Sequence, residues 1–316
     1  MTGIHSDWPT IVDQLLESSR NEQEATSSHW EEMHRNFEYK DGNFSGLYGF
    51  GDFIPPQTGL TYLAHRVLQI PYRFLGQKFV RFREFDRLVV EICKRQNRFY
   101  DLDFLRQSLT LAWLTLKLHD GFWTDKIILI IGDGFGSFAS LLLAAHQQVR
   151  VITVNLSKTL LVDLAYTQIG LPEIKPVLVT DEEGMKHALA KKENRLIALS
   201  ASKSDLIKEL EIDLAVNIAS MQEMDEAIIQ QYFEIIRSSK SPNIYFYCCN
   251  REEKILPDGS VIKFNEYPWL DDDIILEDEV PQWHKKLYTL RPPFYKNYDG
   301  LHRHRLTKMA RNILEK

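Results

Sequence analysis

A continuous apolar run, Ile127-Ile-Leu-Ile-Ile131, leads directly into Gly132-Asp-Gly-Phe-Gly136 and then into an apolar stretch of helical spacing at 137–147. Such a run, bounded by glycine, reads as a strand buried on both faces. A strand of that kind needs helices on both sides of its sheet, which restricts the chain to α/β architectures. Three glycines at the strand's end let backbone approach a ligand where a side chain would intrude.

The same alternation continues downstream. Residues 149–154 form a second buried-strand pattern. Ser157 is placed to cap a helix that stops at Gly170-Leu-Pro172. Residues 176–180 and 196–200 are both candidates for the third strand, and the sequence does not choose between them. Further strands are expected at 213–218 and 243–249, with a helix to about Ser238 between them. This predicts a doubly wound, mostly parallel sheet. After Asn250 the texture becomes β-like, with a hairpin expected around Pro257-Asp258-Gly259, a loop at 291–301 and a basic helix at the end. Upstream, 11–19, 79–97 and 105–118 carry helical apolar spacing. Two parts are expected: a mainly helical region over 1–120, serving as acceptor side and lid, and a sheet domain over 121–316.

With 38 Lys+Arg against 44 Asp+Glu the net charge is −6, which argues against a nucleic-acid binder. Three cysteines cannot build a disulfide framework, and no Cys/His spacing suits zinc. Residues 1–9 lack a basic region followed by an apolar stretch, so no secretory leader is expected. The longest apolar region, 127–145, is broken by Asp133 and three glycines, so no membrane span is expected. A cytoplasmic protein follows as the expectation.

Gly132-x-Gly134-x-Gly136 differs from the dinucleotide fingerprint, whose third glycine falls at 137, where Ser137 stands. The end of the second strand should supply a group for ribose hydroxyls. Asn155 stands there, and its amide can both donate to and accept from a hydroxyl.

Three segments resemble the sugar O-methyltransferase family, a bacterial group of class I S-adenosylmethionine-dependent methyltransferases. They are Ile131-Gly-Asp-Gly-Phe-Gly136, Val154-Asn-Leu-Ser157 with the helix behind it, and Asp213-Leu-Ala-Val-Asn-Ile-Ala-Ser-Met-Gln-Glu-Met224. Tyr267-Pro-Trp269 and His304-Arg-Leu306 resemble the family less specifically, and residues 1–100 carry no matching motif. The resemblance implies a Rossmann-like methyltransferase sheet with an N-terminal helical region. It implies S-adenosylmethionine as cofactor, held by Gly132, Asp133, Gly134, Gly136, Asn155, Leu156 and Asn217. Asn155 departs from the family pattern, which has an acidic residue there.

A hydroxyl that takes a methyl group must lose its proton, a task suited to His, Asp or Glu. Glu223 sits past the end of a strand and suits this role, but Ser220-x-x-Glu223 is equally a helix capping box. His284, His302 and His304 lie in the C-terminal region expected to close over the pocket, and His304 is placed first. Arg305 suits a phosphate or carboxylate on the acceptor. The acceptor pocket is expected to be bounded by Tyr48, Phe50, Gln222, Trp269, His304 and Arg305, with the aromatics of loop 44–56 covering sugar faces. The acidic residues of 271–273 and 277–279 read as a solvated loop, and no metal is expected. Residues 65–98 carry nine Lys/Arg against three acids, which suits a solvated face or a phosphate-linked acceptor. Two other functions fit parts of the pattern: an NAD(P)-dependent oxidoreductase, disfavoured by Ser137, and a non-catalytic scaffold with a decayed pocket, suggested by Asn155 alone. Oligomeric state is not legible.

Overall fold

A computed structural model describes residues 7–20, 27–40, 42–47 and 54–311. The N-terminal elements are α1 (Trp8–Ser18), α2 (Ser28–Met33), β1 (Glu38–Lys40), β2 (Asn43–Ser45), α3 (Gly59–Leu68), α4 (Ile70–Gly76), α5 (Phe82–Arg95) and α6 (Leu102–Leu118). The sheet region follows as β3 (Ile127–Ile131), α7 (Ser137–Ala145), β4 (Arg150–Asn155), α8 (Ser157–Gly170), β5 (Pro176–Leu178), α9 (Glu182–Ala190), β6 (Leu196–Ser200), β7 (Leu214–Ile218), α10 (Glu226–Arg237) and β8 (Tyr245–Arg251). The C-terminal strands are β9 (Glu253–Ile255), β10 (Val261–Lys263), β11 (Ile274–Glu279), β12 (Lys286–Tyr288), β13 (Tyr295–Asn297) and β14 (His302–Lys308).

Eight strands form one sheet in the order β11-β14-β8-β7-β3-β4-β6-β5. From β5 to β8 all neighbours are parallel. β3 is buried along its whole length, as its apolar run requires. The chain winds outward from β3 to β4 and then returns to β7 on its other side. The crevice beyond the carboxyl ends of β3 and β7 is therefore the switch point of a Rossmann-like doubly wound sheet, where such folds bind ligands. Both candidate third strands belong to the sheet: β6 pairs with β4, and β5 lies outside it at the edge.

Three local expectations change. The basic C-terminal segment is strand β14, antiparallel to β8 and β11, not a helix. Ser157 is the first residue of α8 with Leu156 at the cap position, and the Ser157 hydroxyl instead bonds Ser200 Oγ at 3.0 Å. The acidic stretch is part of the packing: Asp273 forms a buried pair with Arg237 at 2.6 Å, and Asp278 takes both Arg303 and Arg305. The hairpin around Gly259 forms, with Ile255 opposite Val261.

One face of the sheet shares an apolar core with α1, α5, α6, α7 and α8, so Trp8, Leu109 and Trp113 belong to the same cluster as Ile128 and Leu306. α10 packs on the other face through Ile229, Phe233 and Ile236. Among the described residues no helix is long and apolar enough to cross a membrane.

Candidate active site

The strand-to-helix turn is held on both flanks. Gly132 N donates to Val154 O of β4 at 3.0 Å. Gly132, Gly134 and Gly136 all adopt positive φ, between +53° and +67°, which glycine accepts without steric cost. At Gly132 an added Cβ would stand 2.0 Å from Ser220 Oγ. The Asp133 carboxylate accepts from Phe138 N and Ala139 N, each at 2.8 Å, and so closes the start of α7. Its burial pushes its pKa up to about 6.

Asn155, at the end of β4, donates through Nδ2 to Asp163 Oδ2 at 2.8 Å and accepts from Leu156 N at 2.9 Å. One N–H and one lone pair of the amide remain for a ligand. Asp163 also accepts from Gly136 N at 3.3 Å. A carboxylate thus stands behind Asn155 and ties it to the glycine turn. Asn217 is fully buried below: it donates to Ile131 O at 2.8 Å and accepts from Met221 N and Asn250 Nδ2. It braces the turn and does not line the cavity above it.

That cavity holds about 400 Å³, within the range of small-molecule sites. Its near end is Gly132, Asp133, Gly134 and Asn155, and Gln222 and Glu223 stand on another wall. A recess of about 20 Å³, lined in part by Leu156, Ala201 and Met224, shares Trp30, Asn155 and Ser220 with it. The Glu223 carboxylate faces His29 Nε2 at 3.5 Å and Lys254 Nζ at 3.8 Å. Burial pushes its pKa up to about 7, against the opposing pull of Lys254, Gln222 and Arg251. Burial, with Lys254 and Arg251, pushes His29 down to about 4.

The capping-box reading of Ser220–Glu223 does not hold. Residues 221–223 form a short 3-10 turn with no side-chain cap, and α10 begins only at Glu226, after Asp225. The Glu223 side chain is therefore not spent on a helix end. Gln222 accepts from Arg251 N at 2.7 Å and fixes the turn to β8.

His304, Arg305 and Trp269 do not line the cavity. His304 is fully buried, 3.1 Å from the Tyr247 hydroxyl and 4.6 Å from the Trp113 ring. Arg305 donates to Asp278 at 2.6 Å and lies 4.6 Å over the Trp269 ring. Trp269 packs among Phe233, Phe246 and Phe264. Tyr48 and Phe50 lie outside the described residues. The histidine that reaches the cavity from β14 is His302, opposite Arg251 at the carboxyl end of β8. His304 is two residues further along the same face, about 7 Å deeper. His304→Ala should therefore cost about 2–4 kcal/mol of stability as a core truncation and leave ligand binding at the glycine turn unchanged. Chemical denaturation and calorimetry on one preparation check both halves.

Residues 1–120 supply cavity walls that no sequence motif marked. Trp30 of α2 and Arg98, Asp103, Phe104, Arg106 and Gln107 all face it. Arg98 lies 4.3 Å over the ring of Phe135, inside the glycine turn. Arg251, Tyr298, His284 and His302 close the far end.

No known protein family and no curated protein matches the chain. Among solved structures it is similar to the pyocyanin biosynthetic protein PhzM, at 10% identity and TM-score 0.37, over 65% of this chain and 57% of that one. It is similar to the mitomycin 7-O-methyltransferase MmcR at 12% identity and TM-score 0.36, again over 65% and 57%. It is similar to a type 11 methyltransferase structure from Sulfolobus solfataricus at 11% identity and TM-score 0.36, over 66% and 95%. The chain thus spans little more than half the length of the first two.

Proposed function

We propose that the chain transfers a methyl group from S-adenosylmethionine to a hydroxyl of a sugar or glycosylated metabolite. The observation that carries this reading is one cavity that joins a positive-φ glycine turn and Asn155 to a buried carboxylate, Glu223. The turn fits the cofactor. Asn155 keeps one N–H and one lone pair for a ribose hydroxyl, and the Arg98 guanidinium, beside Phe135 and paired with Asp101, stands in the wall of the same cavity.

S-Adenosylmethionine supplies a methyl group on a positively charged sulfur. The acceptor oxygen forms the new bond to that carbon as the carbon–sulfur bond breaks, and the electron pair stays on sulfur. Glu223 takes the hydroxyl proton, for which a pKa near 7 is well matched. The sugar part of the reading rests on the three segments that resemble sugar O-methyltransferases. The buried, free state of Cys93, Cys248 and Cys249 suits a reducing compartment such as the cytoplasm.

Calorimetry with S-adenosylhomocysteine tests the donor half. One-to-one binding is expected, and no detectable heat at millimolar ligand overturns the reading. Labelled S-adenosylmethionine with a panel of nucleotide sugars and glycans, followed by mass spectrometry, tests the acceptor half. Label should appear on a sugar hydroxyl.

A further inference from the structure

The far end of the cavity is built around Tyr298. The guanidinium carbons of Arg106 and Arg251 lie 4.7 and 5.8 Å from its ring centre. The rings of His302 and His284 lie 4.7 and 6.4 Å from it. The two histidines stack on each other at 4.9 Å with an interplanar angle of 25°. They are buried, at 6% exposure for His284 and 1% for His302, yet both face the cavity.

Among the described residues, four polar atoms of this corner are buried with no hydrogen-bond partner: both ring nitrogens of His284, Nδ1 of His302 and Nε of Arg251. A buried polar group left unpaired is destabilising, and native structures pair nearly all of them. All three residues line the cavity, and unpaired polar atoms gathered behind one cavity wall are the pattern of a site that a polar ligand completes.

The charges select the ligand. Arg106 is fixed by Trp283 O and Lys286 O, both at 3.1 Å, and by Asp103 at 2.9 Å. Among the described residues, the acidic group within ion-pair distance of Arg251 is the highly exposed Asp299, at 3.3 Å, and its charge also acts on Glu223. Burial and the nearby arginines keep both imidazoles neutral, so each offers one N–H and one lone pair. Two positive charges beside unpaired N–H groups of cavity-lining residues suit a group rich in negative oxygen.

We propose that this corner binds an oxyanion of the substrate, a phosphate or carboxylate group, through Arg251 and the His284–His302 pair, with Arg106 fixing the positive field. The role expected of Arg305 thus falls to Arg251. Only the word substrate rests on the methyl-transfer reading; the anion site stands on its own geometry.

The full chain is titrated with inorganic phosphate, and separately with acetate, against chloride of equal ionic strength. Thermal melting and calorimetry are the readouts. Saturable stabilisation by phosphate points to a phosphate-bearing substrate, and stabilisation by acetate alone points to a carboxylate. Arg251→Gln and His284→Phe should each weaken the effective anion at least tenfold, with S-adenosylhomocysteine affinity unchanged as proof of folding. The proposal is overturned if neither anion protects beyond chloride, or if both variants bind the anion as the parent does. If S-adenosylhomocysteine fails to bind while anion binding still depends on Arg251, the methyl-transfer reading falls and the anion site stands.

Discussion

Glu223→Gln should lower turnover about a hundredfold or more, the usual span for a positioned general base, and leave S-adenosylhomocysteine affinity within a factor of two. Glutamine keeps the shape of the side chain and removes only its capacity to take a proton. The pH profile carries the sharper signature. Burial raises the Glu223 pKa to about 7, so below that pH the carboxyl holds its proton and cannot accept another. Turnover should rise with pH on an acid limb centred near 7, with about one-tenth of the enzyme active one unit below. The groups facing this carboxylate are His29, Lys254 and Arg251. Burial holds the His29 pKa well below that range, so the limb is assigned to Glu223. In the glutamine variant the limb should vanish. A loss of less than fivefold with the limb intact would assign the proton to another group.

What the sequence revealed about this site followed how local each signal is. The β3 strand and its glycine turn were legible because an apolar run and three close glycines express their conformation through nearest neighbours alone. Glu223 was ambiguous for a local reason too. Ser-x-x-Glu matches a capping box, and only the start of α10 at Glu226 shows that no helix begins where the box requires. β14 carries no strand signal in the sequence because it lies between β8 and β11 with His304, Arg305, Leu306 and Thr307 all buried, so polar and apolar residues are covered alike and no alternation of hydropathy results. His304 is favoured in the sequence because it lies in the segment resembling the family, but on the strand it is His302, two residues earlier, that lines the cavity. Trp30, Arg98 and Arg106 were invisible because they reach the cavity through tertiary packing of the N-terminal helices on the sheet.

Gly132→Ala should weaken S-adenosylhomocysteine at least tenfold and cost about 2–4 kcal/mol of stability, from overpacking and a strained positive φ together. The added methyl points not into open cavity but at Ser220, 2.0 Å from its Oγ and 2.6 Å from its Cβ. The glycine therefore serves the approach of the β7 loop, which carries Ser220, Gln222 and Glu223 to the cavity wall. This joins two segments that lie far apart in sequence: the first needs glycine so that the second can close on it. Gly132→Ala with Ser220→Gly should then recover most of the lost affinity and about half the lost stability, because both offending atoms are gone and only the φ strain of about 1–3 kcal/mol remains. The two residues touch, so the cycle should be strongly non-additive. Wild-type affinity in the single variant would separate the glycine turn from the cofactor. Additive losses in the double variant would show that the glycine faces the ligand rather than the loop.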